Sequence, residues 1–211
     1  MHSVDWFTNL SWNEQIEQRF EEKLRRARDK SQYLRIQASH LSISAPEGAL
    51  ALLARYFDLG VHFDWAQAFV DQARANLTLG RTEEAIASLR RALDRERDFP
   101  NVKTNAWNMF VRILSELKLR SEYVEALQIL ASVDRSLLWF PLDQFSWHAT
   151  HALIYEDLNR LSEAQEHARQ ALTAAEQLHS GFRYHPKVGL VTTSDEELRD
   201  RVQRIVNASE R

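Results

Sequence analysis

The chain has 211 residues, of which 44% are hydrophobic and 27% charged, with a formal net charge of −3 and no cysteine. This composition is typical of a globular chain, and the missing cysteines exclude disulfides, thiol catalysis and thiolate metal sites. The acidic balance argues against a nucleic-acid partner or an anionic membrane surface. The opening residues lack a signal-peptide pattern, and no stretch reaches the ~20 apolar residues of a membrane span. We therefore expect a cytoplasmic protein without a membrane or nucleic-acid partner.

The first predicted helix covers residues 12–29. Ser11-Trp12-Asn13-Glu14 fits a capping box, in which the first side chain bonds a backbone N–H group of the first turn. Apolar residues then recur at helical spacing, at Trp12, Ile16, Phe20, Leu24 and Ala27. We expect this helix to cover the end of the helical array that follows, and docking to another chain is the alternative.

Residues 66–93 predict a helical hairpin. Gly80 breaks the helical pattern, and Thr82 is placed to cap the second helix. Small and large apolar residues alternate on the faces that would meet, because two helices approach closely only where side chains are small. Six positions carry the pattern: Phe69, Ala73, Gly80, Ala85, Leu89 and Ala92.

The hairpin resembles a tetratricopeptide repeat, which has an aromatic residue, small residues and a glycine turn at these places. The pattern can be laid over the chain three more times, and the alanines that open the second helices are Ala49, Ala85, Ala126 and Ala164. Their spacings of 36, 41 and 38 residues exceed the usual ~34. The resemblance covers about residues 30–178, and Gln37 of the first unit departs from the small residue that it requires.

The resemblance implies an all-α superhelix of about four hairpins, forming a single repeat domain over residues 1–211. A capping helix is expected at each end, over 12–29 and over 194–208, and the second should open with a capping box at Ser194-Asp195-Glu196-Glu197. The predicted repeat helices lie near 31–43, 46–58, 64–79, 82–97, 102–119, 121–134, 142–158 and 161–178.

Two irregular segments could be structural loops or partner contacts. The connector Leu137-Leu138-Trp139-Phe140-Pro141 is unusually apolar, and residues 179–187 combine basic and aromatic side chains. We expect both to pack against the chain itself.

His148 and His151 are three residues apart on a predicted helix, a spacing at which two histidines could share a metal ion. His148 also occupies the place where other units have Tyr33, Phe69 and Phe110, which favours a packing role. The chain has no nucleophile elbow and no glycine-rich phosphate loop. We therefore expect neither an enzyme nor a cofactor or metal, and a metalloenzyme built on these histidines is the less favoured alternative.

The superhelix implied by the resemblance would have a groove lined by the first helix of each unit. Mixed polar, basic and small apolar residues at these places suit a peptide or a partner's loop. Arg74, Arg112 and Lys118 add positive charge and favour an acidic partner segment. The predicted partner-binding residues are Gln67, Val70, Arg74, Asn108, Arg112, Ser115 and Lys118. Asp71 and Val111 lie on the same face, and the fourth unit would add Ser146, Ala149, Thr150 and Leu153.

The function favoured by this pattern is protein–protein interaction, as an adaptor, assembly chaperone or inhibitor, including a toxin-neutralising immunity protein. A lysine and asparagine clamp for a carboxyl-terminal peptide is broken at Val70 and Val111, which argues against a chaperone-tail binder. The alternative is a sensor whose groove closes on a peptide or small ligand. The sequence does not specify the partner, the biological process or the oligomeric state.

Overall fold

The computed structural model describes residues 5–138 and 140–208. Within these ranges the chain forms ten α-helices and three short 3-10 turns, and it has no β-strand. The all-α class is therefore confirmed. The chain divides into two compact units, Met1–Ala106 and Trp107–Arg211. The single repeat domain over residues 1–211 stays a prediction.

The described residues of the first unit, from 5 onward, form five helices, with α2 packed on α3 and α4 on α5. Its core joins aromatic and aliphatic side chains of α1, α2 and α3 with alanines of α4. The two predicted hairpins, 31–43 with 46–58 and 64–79 with 82–97, are thus present to within one or two residues at each end. The helices are α1 (Glu14–Arg26), α2 (Lys30–Leu41), α3 (Pro46–Asp58), α4 (Trp65–Thr78) and α5 (Thr82–Asp98).

The helix starts in this unit differ from two predicted caps. Helix α1 is capped by Asn13, whose side-chain oxygen accepts a hydrogen bond from the Ile16 N–H at 3.0 Å, so Ser11 is not the cap. Thr82 is already the first residue of α5, and its predicted capping role is wrong because Arg81 occupies the cap position. Gly80 does end α4 in the left-handed region, at φ 72°.

Five helices also lie in the part of the second unit that the structure describes, and here α8 packs on α9 while α10 packs on both. One core cluster joins Phe145, Ala149 and Leu153 of α8 with the alanines of α9 and the apolar face of α10. The helices are α6 (Ala106–Glu116), α7 (Tyr123–Ser132), α8 (Pro141–Asp157), α9 (Leu161–Ala175) and α10 (Glu196–Asn207).

Helix α6 ends earlier than the predicted first helix of the third unit, 102–119. Helix α6 ends at Glu116, and Lys118 adopts the left-handed conformation at φ 54°, so it is not a first-helix residue. A 3-10 turn, Arg120–Glu122, then precedes α7. Lys118 lies eight residues before Ala126, whereas Gly80 lies five before Ala85. The first helix nevertheless begins 20 residues before the alanine in both units, at Trp65 for Ala85 and at Ala106 for Ala126, because α6 is shorter than α4. The longer spacing of 41 residues therefore arises before α6, from the length of α5 and the connector 99–105.

Helix α10 begins at Glu196 and follows a 3-10 turn, Thr193–Asp195. The reciprocal capping box is formed by Thr192 and Asp195, not by Ser194 and Glu197. The predicted box is therefore displaced by two residues toward the start of the chain.

The two irregular segments contact each other. Phe140 of the connector stacks on Phe182 with ring centroids 5.3 Å apart. A Cβ atom added at Gly189 would lie 2.3 Å from the Phe140 ring, so only glycine permits this approach. Leu138 is 9% exposed, while Trp139 lies outside the described residues. The part of the connector that is described thus packs against the chain, as expected.

Candidate functional site

The first helices of the two hairpins in the first unit, α2 and α4, contact each other and share a polar face. We call this the polar face; it consists of Arg35, Ser39, Gln67, Asp71 and Arg74. Asp71 lies at its centre and is 0% exposed. Its Oδ1 atom accepts hydrogen bonds from Gln67 Nε2 at 3.1 Å and from Ser39 Oγ at 3.2 Å. The buried carboxylate therefore ties α2 to α4.

Two arginines flank this carboxylate. Arg35 Nη1 lies 3.6 Å from Asp71 Oδ2, and Arg74 Nη1 lies 3.5 Å from Asp71 Oδ1. Arg35 also forms an ion pair with Asp64. The Arg74 side chain keeps 38% of its surface exposed, against 21% for Arg35. Arg74 is thus held through one guanidinium nitrogen, while more than a third of its side chain remains accessible at the surface.

Burial shifts the pKa values of two groups, Asp71 in this network and Tyr56 beside it. It raises the pKa of Asp71 above its ordinary value, although the hydrogen bond from Gln67 and the charges of Arg74 and Arg35 oppose the shift. Burial also raises the pKa of Tyr56, whose hydroxyl donates to Asp64 at 2.5 Å. The network supplies fixed hydrogen-bond donors around a carboxylate, an arrangement suited to binding polar or charged groups.

The predicted residues of the first unit have unequal access to solvent. Gln67 and Arg74 are partly exposed and both belong to the polar face. Val70 is 1% exposed, so a partner contacts its side chain only if the surroundings move. Asp71 was expected on the same face as Gln67 and Arg74, whereas Arg35 and Ser39 of α2 were not predicted as binding residues.

In the second unit, the predicted basic residues have acidic neighbours. Arg112 Nε lies 2.7 Å from Glu116 Oε1, and Arg112 Nη1 lies 3.4 Å from Asp195 Oδ1. Lys118 Nζ is 3.9 Å from Asp157 Oδ1. These carboxylates offset the positive charge that favoured an acidic partner.

The other predicted residues of α6 are less accessible. Ser115 is 1% exposed and donates its hydroxyl hydrogen bond to the Arg112 carbonyl at 3.0 Å. Asn108 is partly exposed, but its Oδ1 atom is buried without a hydrogen bond from the described residues. The binding role of the predicted set stays a prediction, with Arg112, Asn108 and Lys118 as its accessible members in this unit.

The groove residues expected from the fourth hairpin are covered. Ser146, Ala149, Thr150 and Leu153 are between 0% and 2% exposed. The physical reason is helix α10, whose apolar side chains share one core with Ala149 and Leu153. The expectation that this face of α8 is open to a partner is therefore wrong.

His148 and His151 form a cluster with His167 of α9, which the sequence analysis did not identify. His148 Nδ1 lies 3.0 Å from His167 Nδ1, so one ring donates and the other accepts. His151 Nδ1 donates to the Trp147 carbonyl at 2.9 Å, and its ring stacks on His167 with centroids 4.5 Å apart. Burial is the largest cause that lowers the pKa of each of the three histidines to about 4.

This cluster is packed through ring contacts and hydrogen bonds between neutral imidazoles. Trp147 lies against His151, with ring centroids 4.1 Å apart. In the described ranges, no group of three or more histidine, cysteine or acidic residues is arranged to hold a metal ion. The arrangement supports the packing role predicted for His148.

No helix within residues 5–138 or 140–208 combines the length and hydropathy needed to cross a bilayer.

Comparison with known protein families supports the repeat register of the second and fourth predicted units. A sequence model of the tetratricopeptide repeat matches residues 66–99 and 148–178. The first match covers α4 and α5, and the second covers most of α8 with α9. Neither the search of curated proteins nor that of solved structures found a match.

Proposed function

We propose that this chain, which is a tetratricopeptide-like repeat protein, acts by binding another protein or a peptide at the polar face of α2 and α4. Repeats of this type generally mediate protein–protein interaction, which supports the coarser part of the proposal. The finer role is that of an adaptor, assembly chaperone or inhibitor in the cytoplasm. The proposal includes no catalytic step.

The observation that carries the proposal is the network around Asp71. The buried carboxylate orients Gln67, Arg35 and Arg74, so their donors are ordered before a partner arrives. Ordered donors reduce the side-chain entropy that binding would otherwise cost. A fixed guanidinium beside a fixed amide suits a partner's backbone carbonyl groups and carboxylates.

The charge balance limits the choice of partner. Within the polar face, the charge of Asp71 offsets one of its two arginines, and Asp64 offsets the other. A strongly acidic segment would therefore have to compete with these internal carboxylates. We propose a partner segment with mixed polar character, in which one carboxylate or carbonyl group faces Arg74.

The test compares two variants of matched chemistry. Proteins captured from the native host by the wild-type chain are identified by mass spectrometry, and the affinity of the strongest candidate is measured by calorimetry. We expect R74Q to weaken binding at least tenfold. R97Q is the control, because Arg97 also forms an i,i+3 pair, with Asp94 at 2.9 Å, but lies on α5. Equal affinities for wild type, R74Q and R97Q would overturn the proposed surface.

A further inference from the structure

The non-helical residues 5–12 lie against α1 and α2 through aromatic contacts. Trp6 packs on Phe20 and Tyr33, with ring centroids 5.4 and 4.7 Å apart. Phe7 lies 4.9 Å from the same Tyr33 ring. Adjacent aromatic residues of the segment thus share one aromatic surface of the repeat helices.

The buried side-chain amide of Gln37 forms hydrogen bonds with the backbone of the segment. Gln37 Oε1 accepts hydrogen bonds from the Asn9 backbone N–H at 3.0 Å and from Asn9 Nδ2 at 2.8 Å, while Gln37 Nε2 donates to the Asn9 carbonyl at 2.8 Å. Gln37 is 0% exposed. One side chain therefore pairs with both backbone groups of a single residue, as a neighbouring strand does when a peptide is recognised.

Gln37 is an exception in the repeat pattern. The equivalent positions hold Ala73, Leu114 and Ala152, which are all apolar. A buried amide that loses its partners is destabilising by about 1–3 kcal/mol, so this position needs an occupant that supplies N–H and C=O groups. The departure from the repeat pattern is thus matched to the segment that covers it.

Trp12, at the carboxyl-terminal end of the segment, packs closely against α3. A Cβ atom added at Gly48, in the first turn of α3, would come within 2.8 Å of the Trp12 ring. Between the anchors, Leu10 points away and is 70% exposed. The contacts are therefore concentrated at two aromatic anchors and one backbone pairing, a pattern that a separate peptide can reproduce.

We propose that Phe20, Tyr33, Gln37 and Gly48 form a peptide-binding site, here named the Gln37 site, whose resident ligand is the segment 5–12. The external ligand is an extended segment of a partner protein that carries two adjacent aromatic residues and an asparagine two positions later. This ligand competes with the resident segment for the site because it offers the same ring surfaces and the same backbone groups.

The Gln37 site is distinct from the polar face. Tyr33 and Gln37 lie one turn apart on α2, and the helical period places them on the side opposite Arg35 and Ser39. A partner could therefore occupy one surface without blocking the other, and failure at one site leaves the proposal for the other intact.

The test uses the full chain and a defined probe. The W6A/F7A variant weakens the resident segment, and the probe is a fluorescent synthetic peptide with the sequence DWFTNLSW. Fluorescence anisotropy should show that the peptide binds this variant at least tenfold more tightly than wild type. Adding Q37L should abolish this binding, whereas adding Q32L, at an exposed glutamine of the same helix, should not.

Two results would overturn the proposal: no peptide binding by a W6A/F7A variant that keeps its helical circular dichroism, or equal binding with and without Q37L. If that variant does not fold, hydrogen exchange of the wild type decides. The Asn9 amide should then exchange through a local opening, well before the core amides of α2. Exchange of Asn9 only on global unfolding would contradict displacement.

Sedimentation equilibrium distinguishes a partner's segment from a second copy of the chain. A wild-type dimer that the peptide dissociates would overturn the partner assignment in favour of segment exchange between two copies, because the peptide competes with the exchanged segment. A monomer, or a dimer that the peptide leaves intact because another surface holds it, agrees with the proposal.

Discussion

The two units use the same hairpin pattern but leave different surfaces to solvent. In the first unit, α2 and α4 present the polar face around Asp71, with Arg74 partly exposed. In the second unit, the face of α8 that carries Ala149 and Leu153 is buried beneath α10. The repeat pattern therefore specifies how helices pair, while the elements added outside the repeat decide which face is available for binding.

The packing of paired helices should respond equally in both units to large side chains at its small residues. Substitutions at these residues have the largest expected effect on stability. Ala85 and Ala164 are both 0% exposed at equivalent positions. A tryptophan at either site would force two helices apart, which we expect to lower the free energy of unfolding by about 3 kcal/mol. Urea unfolding of A85W and A164W measures this, with A87W, on the exposed side of α5, as the control. An unchanged midpoint for A85W would contradict the hairpin packing.

A substitution that weakens the packing of α10 should destabilise the second unit and expose the face of α8 that α10 covers. Val202 is 0% exposed, so V202D places an unpaired carboxylate in the core. We expect a loss of about 2–3 kcal/mol and faster proteolysis of α10. Q203D, one residue further on the exposed side, should behave like wild type. If V202D and Q203D show the same melting temperature and protease resistance, α10 does not cover the face of α8.

Lowering the pH should change the stability of the two units in opposite directions, because burial lowers the pKa of the histidines in one and raises the pKa of Asp71 in the other. His148, His151 and His167 have folded-state pKa values of about 4, below the ordinary value of 6.5. The unfolded chain therefore binds more protons between pH 6.5 and 4, and the stability of α8 and α9 falls across this range. For one such histidine the loss amounts to about 3 kcal/mol at pH 4.

Asp71 should give the first unit a pH dependence of stability with the opposite sign. Its folded-state pKa is raised by burial, so the folded unit gains stability as the pH falls through that pKa toward 3.8. Hydrogen exchange at pH 7 and pH 4.5 should show a larger loss of protection in α8 and α9 than in α2 and α4. H148F should reduce the acid loss, and H179F, at an exposed site, should not. Equal loss of protection in all four helices would contradict the assignment.

The smallest expected effect is the difference in stability loss between substitutions of the two predicted binding arginines, Arg74 and Arg112. R74Q removes a charge next to buried Asp71, and we expect a loss of about 1 kcal/mol because that carboxylate has no access to solvent. R112Q removes a pair with partly exposed Glu116, for which about 0.5 kcal/mol is expected. Thermal unfolding of both variants measures the difference. A larger loss for R112Q would mean that its contact with Asp195 outweighs the buried network.

The sequence predicted the helices well because their periodicity and turn residues act locally. Gly80 marked its turn, and the alanines at 85 and 164 marked two close helix contacts. The turn at Lys118 was missed because a lysine in the left-handed region has no compositional signal. Thr82 looked like a cap, but the α4–α5 turn brings Arg81 to that position.

The accessible surface was harder to predict, because it depends on contacts between distant segments. Arg112 was predicted as an open groove residue, but Asp195 lies 3.4 Å from it across 83 residues of sequence. His167 was missed because its partners lie on another helix. Gln37 stood out as a departure from the repeat, and only the position of Asn9 explains it.

The central claim is that a partner binds the polar face of the first unit. Hydrogen–deuterium exchange of the full chain, with and without the captured partner, tests it most directly. The account predicts added protection in peptides from Lys30–Leu41 and Trp65–Thr78, and loss of that protection in the R74Q variant at the same partner concentration. Protection confined to other helices, or unchanged in R74Q, would contradict it.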